Sequence, residues 1–208
     1  MKPTILRLLC LALPLFFLSH VPAQGATNSS CSAESMLKET LDCISKNNLT
    51  DQEIASVMDS LKTATSVLEK RHKTVCAEAP PKSCRTPMAH SKGGLVCATV
   101  GDARYCKPMC NEGHDFAFLR RSRLFEECKA GNQSSWSTQY IGGNRLAVCD
   151  RATIQISGAK TAYFPKGQDC LKTKSQGNLE KEVTQTFLSE LQSSGIQGNP
   201  RHVCLVCG

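Results

Sequence analysis

The 13 cysteines of this chain, read against its apolar leader, constrain its fold more than any other feature. Lys2 and Arg7 flank the start of an apolar run from Leu8 to Leu18, which closes on Val21-Pro22-Ala23, a small-residue cleavage pattern. Residues 1–23 therefore read as a secretory signal peptide and not as a membrane anchor, because the run falls short of the ~20 residues of a span and no second run follows. Cleavage removes Cys10 and leaves an even set: Cys31, Cys43, Cys76, Cys84, Cys97, Cys106, Cys110, Cys128, Cys149, Cys170, Cys204 and Cys207. An even set in a secreted chain is expected to be a disulfide framework.

Composition explains why such a framework is needed. Aromatic residues make up only 5% of the chain, which limits the area any one core can bury. Small cores of this kind depend on staples, each contributing ~2–4 kcal/mol by restricting the unfolded chain. The sequons at Asn28, Asn48 and Asn132 are candidate glycosylation sites in a chain that passes through the secretory lumen. The formal charge of +7 includes Lys2 and Arg7, so the chain beyond the leader is only mildly basic. Its basic residues are spread along the sequence, which argues against nucleic acid as a partner and permits weak attraction to acidic glycans.

Three segments follow one another. Met36, Leu37, Leu41 and Ile44 recur at helical spacing within 32–46. Thr50-Asp51-Gln52-Glu53 is a capping box opening a second helix whose stripe is Ile54, Val57, Met58, Leu61, Ala64 and Leu68. The short link between them predicts an antiparallel helical hairpin over 24–76, with Cys31 close enough to Cys76 to bridge its open end and Cys43 left to find a partner elsewhere. Pro80-Pro81 ends this segment. From Cys84 onward, β-prone runs such as 94–100, 152–156 and 161–164 alternate with Gly and other turn residues, predicting a disulfide-rich β module over 84–165. A third helix is expected after Asn178, with Leu179, Val183, Phe187, Leu188 and Leu191 on one face and Gly195 at its end. It belongs to a C-terminal segment, 166–208, that packs back through its cysteines. The fold class is α+β. The stripes at 54–68 and 179–191 both need cover, and packing them on each other would make one compact body.

Within the β segment, Cys106-Lys107-Pro108-Met109-Cys110-Asn111-Glu112-Gly113-His114-Asp115-Phe116, then Cys128, Gly131, Trp136 and Cys149, resembles the second half of a complement-control (sushi) module. Large secreted adhesion proteins contain similar cysteine-rich stretches. The resemblance spans about residues 84–149 and implies the pairs Cys84–Cys128 and Cys110–Cys149, with Trp136 filling the space between two clamped ends. Cys97 and Cys106 are extra to the family's four-cysteine pattern. Gly101-Asp102 lies midway between them and is suited to turn a hairpin that sets the two face to face.

His202-Val203-Cys204-Leu205-Val206-Cys207 contains a Cys-x-x-Cys spacing, but no helix can begin after Cys207 to lower a thiol pKa, so a redox pair or zinc site is not expected. Both cysteines are expected to bridge back, to Cys43 and Cys170 or with one of them reaching the β module. Arg120, Arg121 and Arg123 form a basic stretch that reads as a solvated loop, a processing site or a contact for sulfated glycans. No catalytic motif is present, and no catalytic, cofactor-binding or metal-ligating residue is assigned. The expected function is that of a secreted, glycosylated, non-enzymatic binding protein with an extracellular protein or glycan as partner. The alternatives are a secreted protease inhibitor or enzyme presenting the loop 117–125, and a matrix component, which would form disulfide-linked oligomers.

Overall fold

The computed structural model describes residues 32–131 and 135–208. The signal peptide expected at 1–23, Cys31 and the sequon residues Asn28 and Asn132 lie outside the described residues, while Asn48 is exposed. The chain is α+β and divides into two units, 1–64 and 65–208, with the boundary inside the second helix.

Helix α1 (Ala33–Lys46) starts at Ser32, whose hydroxyl accepts from the Ser35 amide. Helix α2 (Asp51–Thr74) starts at the expected capping box: the Glu53 carboxylate accepts from the Thr50 amide at 2.8 Å, and the Glu53 amide donates back to the Thr50 hydroxyl at 3.3 Å. Neither helix buries a residue. Of the expected stripe, Ile54 and Met58 are 43% and 65% exposed and Val57 is half-buried.

The core lies around a four-stranded antiparallel sheet in the order β4-β2-β1-β6, where β1 is Gly93–Val100, β2 Ala103–Cys110, β4 Glu126–Lys129 and β6 Arg201–Cys207. β1 and β2 form a hairpin around Gly101 and Asp102, with Gly101 at φ 60°, where a side chain is disfavoured. Short strands β3 (His114–Phe116) and β5 (Cys149–Arg151) pair separately. The remaining helices are α3 (Cys170–Ser175), capped by Asp169, and α4 (Gly177–Ser193), which takes up the expected stripe. β-Strand periodicity sends alternate residues of the four-stranded sheet to opposite faces. One face presents Val96, Ala98, Tyr105, Met109 and Leu205 to Phe187 and Leu191 of α4. Thus the sheet covers the C-terminal stripe. Gly94 is required here because a Cβ would collide with Cys170 Sγ where the Cys170–Cys207 bridge crosses the sheet. On this same face Lys107, fully buried, donates to Glu190 at 2.6 Å and ties β2 to α4.

The opposite face is a layer of cystines. Cys97 stands across from Cys106 on β2 and from Cys204 on β6, and these pack with Leu95, Cys128, Trp136 and Leu146. The bonds are Cys84–Cys128, Cys97–Cys106, Cys110–Cys149, Cys170–Cys207 and Cys76–Cys204. Cys43 is disulfide-bonded as well. The expected Cys31–Cys76 bridge is not formed, because the end of α2 is anchored to the sheet: His72 Nε2 accepts from the Cys207 amide at 2.7 Å, and Cys76 reaches Cys204 on the same strand. Cys204 and Cys207, three apart on a strand, point to opposite faces and take different partners.

The runs 152–156 and 161–164, expected as strands, are an irregular loop and a 3₁₀ turn at Lys160–Ala162. A single carboxylate organises them in place of a ladder. Asp115 is buried and accepts from the amides of Phe116, Ile156 and Ser157 and from the Tyr163 hydroxyl. Burial alone would raise its pKa, but the bonds from Tyr163, Ile156 and Ser157 outweigh it and hold the carboxyl down to about 2. Burial and the same contact push the Tyr163 phenol up to about 12. With a folded pKa below the unfolded value of 3.8, the stability this group supplies is present in full above that value and is lost as pH falls toward about 2. Acid unfolding of Asp115→Asn is therefore expected to show a weaker pH dependence than wild type between about 4 and 2, a difference of roughly 2 kcal/mol, measured by denaturant titration at stepped pH. An unchanged pH profile would refute this role.

Candidate functional site

The loop between β3 and β4 carries the basic stretch singled out from sequence, and its residues are used unequally. Arg120, 4% exposed, donates to Glu126 at 2.7 Å and to the Leu146 carbonyl at 3.2 Å, with its guanidinium 5.6 Å from the centre of the Phe116 ring. Arg123 grips the same fully buried Glu126 through Nε and Nη2. Arg121 Nε donates to the Ile156 carbonyl. Two of the three expected contact residues, Arg120 and Arg123, are therefore committed to one internal carboxylate. One carboxylate offsets one of the two charges, and the bonds to it fix the position of both guanidinium groups, with Arg120 buried and Arg123 partly exposed.

These internal bonds fix the loop and turn its apolar residues outward. Phe118 and Leu119 are 53% and 76% exposed. Phe118 meets Tyr140 edge-on at 5.7 Å. Tyr140 and Ile141 sit on a second loop held by the Thr138 hydroxyl, which donates to the Arg145 carbonyl and accepts from the Tyr140 amide, and by Arg85, which donates to the Gly142 carbonyl. Gly142 and Gly143, at φ 102° and 74°, make the turn that leaves Ile141 fully exposed. Phe118, Gln139, Tyr140, Ile141 and Arg145 line an open depression of about 530 Å³. Aromatic and arginine side chains on a rigid frame are the composition of an interface centre. The pattern was faintly legible: Phe118-Leu119 and Tyr140-Ile141 are apolar pairs in loops, but nothing in the sequence places one beside the other.

The rest of the unit offers less to a ligand. A cavity between β2 and α4, lined by Met109, Tyr163, Gln168, Leu179, Val183 and Thr186, holds about 120 Å³, below the roughly 300 Å³ of a small-molecule site. The histidines are dispersed. His72 accepts from the Cys207 amide, and burial together with Lys174 lowers its pKa. His90 Nδ1 accepts from the Lys92 amide, and His114 Nδ1 lies 3.1 Å from the Glu112 carbonyl. Among the described residues no group of His, Cys, Asp and Glu is arranged to hold a metal ion, and no helix is long and apolar enough to cross a membrane.

No family model, curated protein or solved structure matches the chain.

Proposed function

We propose that this protein is a secreted, non-enzymatic binding protein that recognises an extracellular protein through the surface formed by Phe118, Leu119, Tyr140, Ile141 and Arg145. The observation that carries the reading is the outward presentation of Phe118 against Tyr140, on one loop pinned by the buried Arg120–Glu126 pair and another held by the Thr138 hydroxyl. Rigid aromatic anchors lose little conformational entropy on binding, which is why few such residues dominate interface energetics. Secretion is supported by the density of disulfides, which persist in oxidising compartments. The sushi-like reading of residues 84–149 belongs to the same proposal and draws on a first-to-third and second-to-fourth pairing of Cys84, Cys110, Cys128 and Cys149, with Trp136 buried beside Cys84–Cys128. Glycosylation at the exposed Asn48 fits it too.

The test is binding of the purified protein to an array of purified cell-surface and secreted ectodomains. Phe118→Ala and Ile141→Ser are each expected to weaken capture of a partner by about tenfold or more, the scale of a hot-spot residue. Leu171→Ser, which alters an exposed apolar residue of α3 outside this surface, is expected to leave it unchanged. Equal loss in all three variants, or in none, would remove the surface from consideration.

A further inference from the structure

Three cations are buried in the described residues, and two face carboxylates: Lys107 meets Glu190 and Arg120 meets Glu126. Arg104 does not. Its guanidinium, 2% exposed on the cystine face of the sheet, donates through Nη1 to Thr99 Oγ1 at 2.9 Å and to the His202 carbonyl at 3.4 Å. Through Nη2 it donates to Cys204 Sγ at 3.2 Å, while Nε finds no acceptor among the described residues. The carbonyl is aimed by an irregularity in the β1–β6 pairing, where His202 adopts φ 49°. A buried guanidinium without a counter-ion is costly, and of the three groups to which Arg104 donates, Cys204 is the one that can become an anion. No other described disulfide sulfur receives a hydrogen bond from a cationic group.

We propose that Cys76–Cys204 is a thiol–disulfide exchange site for an external dithiol, with Arg104 holding the Cys204 thiolate that opening releases. A disulfide sulfur is a weak acceptor and a thiolate a strong one, so the contact with Arg104 favours the reduced state selectively. The direction of attack follows from it. The reductant's thiolate forms a bond to Cys76 Sγ, the Cys76–Cys204 bond breaks, and its electron pair leaves on Cys204 beside Arg104. The second thiolate of the reductant then displaces Cys76 from the mixed disulfide, so the dithiol is oxidised to a disulfide and two electrons enter the protein. Of its two protons, one ends on Cys76 and the other in solvent. Cys76 is 4% exposed, so attack on it requires local opening of the turn after α2, and the helix that leads into that turn buries no residue of its own. Opening leaves the bond from the Cys207 amide to His72 to hold the end of α2 on β6, and removes the cross-link of longest sequence separation among the described bonds, 128 residues.

Equilibration of the full secreted chain in graded mixtures of reduced and oxidised dithiothreitol, with acid trapping, differential alkylation and peptide mass spectrometry, tests this. Cys76 and Cys204 are expected to become reduced at a reductant ratio roughly tenfold or more below that needed for Cys84–Cys128, Cys110–Cys149 or Cys170–Cys207, the scale of one hydrogen bond to a charged group. Arg104→Gln is expected to abolish that gap. Opening of Cys76–Cys204 together with or after the other bonds overturns the proposal, as does a gap that survives Arg104→Gln. Should that variant fail to be secreted, the order of opening in the wild-type protein decides alone.

Discussion

Replacing Glu126 by alanine is expected to destabilise the protein by about 3–5 kcal/mol, the scale for removing one partner of a buried ion pair. Glu126 is fully buried on β4 and accepts from Arg120, Arg123 and the Ser137 hydroxyl. Without it Arg120 remains inside, 4% exposed, with a carbonyl and an aromatic face as its remaining company. Arg123 is 39% exposed at its side chain and can turn to water, so Arg123→Ala is expected to lose under about 1 kcal/mol. The asymmetry is the test. Guanidinium denaturation with disulfides intact, followed by fluorescence of Trp136, the single tryptophan, reads both variants at the cluster they perturb. Equal, small effects would mean that the pair contributes little and that the Phe118 loop is held by other contacts.

That contrast also marks where the sequence was readable. Features decided by neighbours along the chain were legible: the Thr50–Glu53 box, the turn at Gly101 that brings Cys97 opposite Cys106, and the apolar face of α4. Features decided by distant partners were not. The three arginines read as a patch because charge is visible in sequence, whereas the burial of Glu126 that consumes two of them is a property of the packed sheet. Likewise Arg201–Cys207 carries no hairpin partner nearby, and its pairing with β1 depends on strands a hundred residues apart. One local signal was available: two cysteines three apart in a β-prone run must face opposite sides, and so require two different partners. The candidate surface was least legible, since Phe118 and Tyr140 lie on two loops far apart in sequence that meet only in the folded chain.

The two amphipathic stripes look alike in sequence and are expected to behave in opposite ways. Phe187 is fully buried, stacks edge-on with Phe125 at 6.2 Å, and through it joins Tyr105 on β2. Truncation to alanine removes both the transferred ring and the atoms that fill the space between helix and sheet, and is expected to cost about 3–5 kcal/mol. Met58, on the stripe of α2, is 65% exposed. Met58→Ala is expected to change stability by no more than about 0.5 kcal/mol, as for surface positions in general. The same Trp136-monitored titration compares them. A large loss in Met58→Ala would show that the α2 stripe is covered in solution, by another part of this chain or by a second copy, and the concentration dependence of that loss would separate the two.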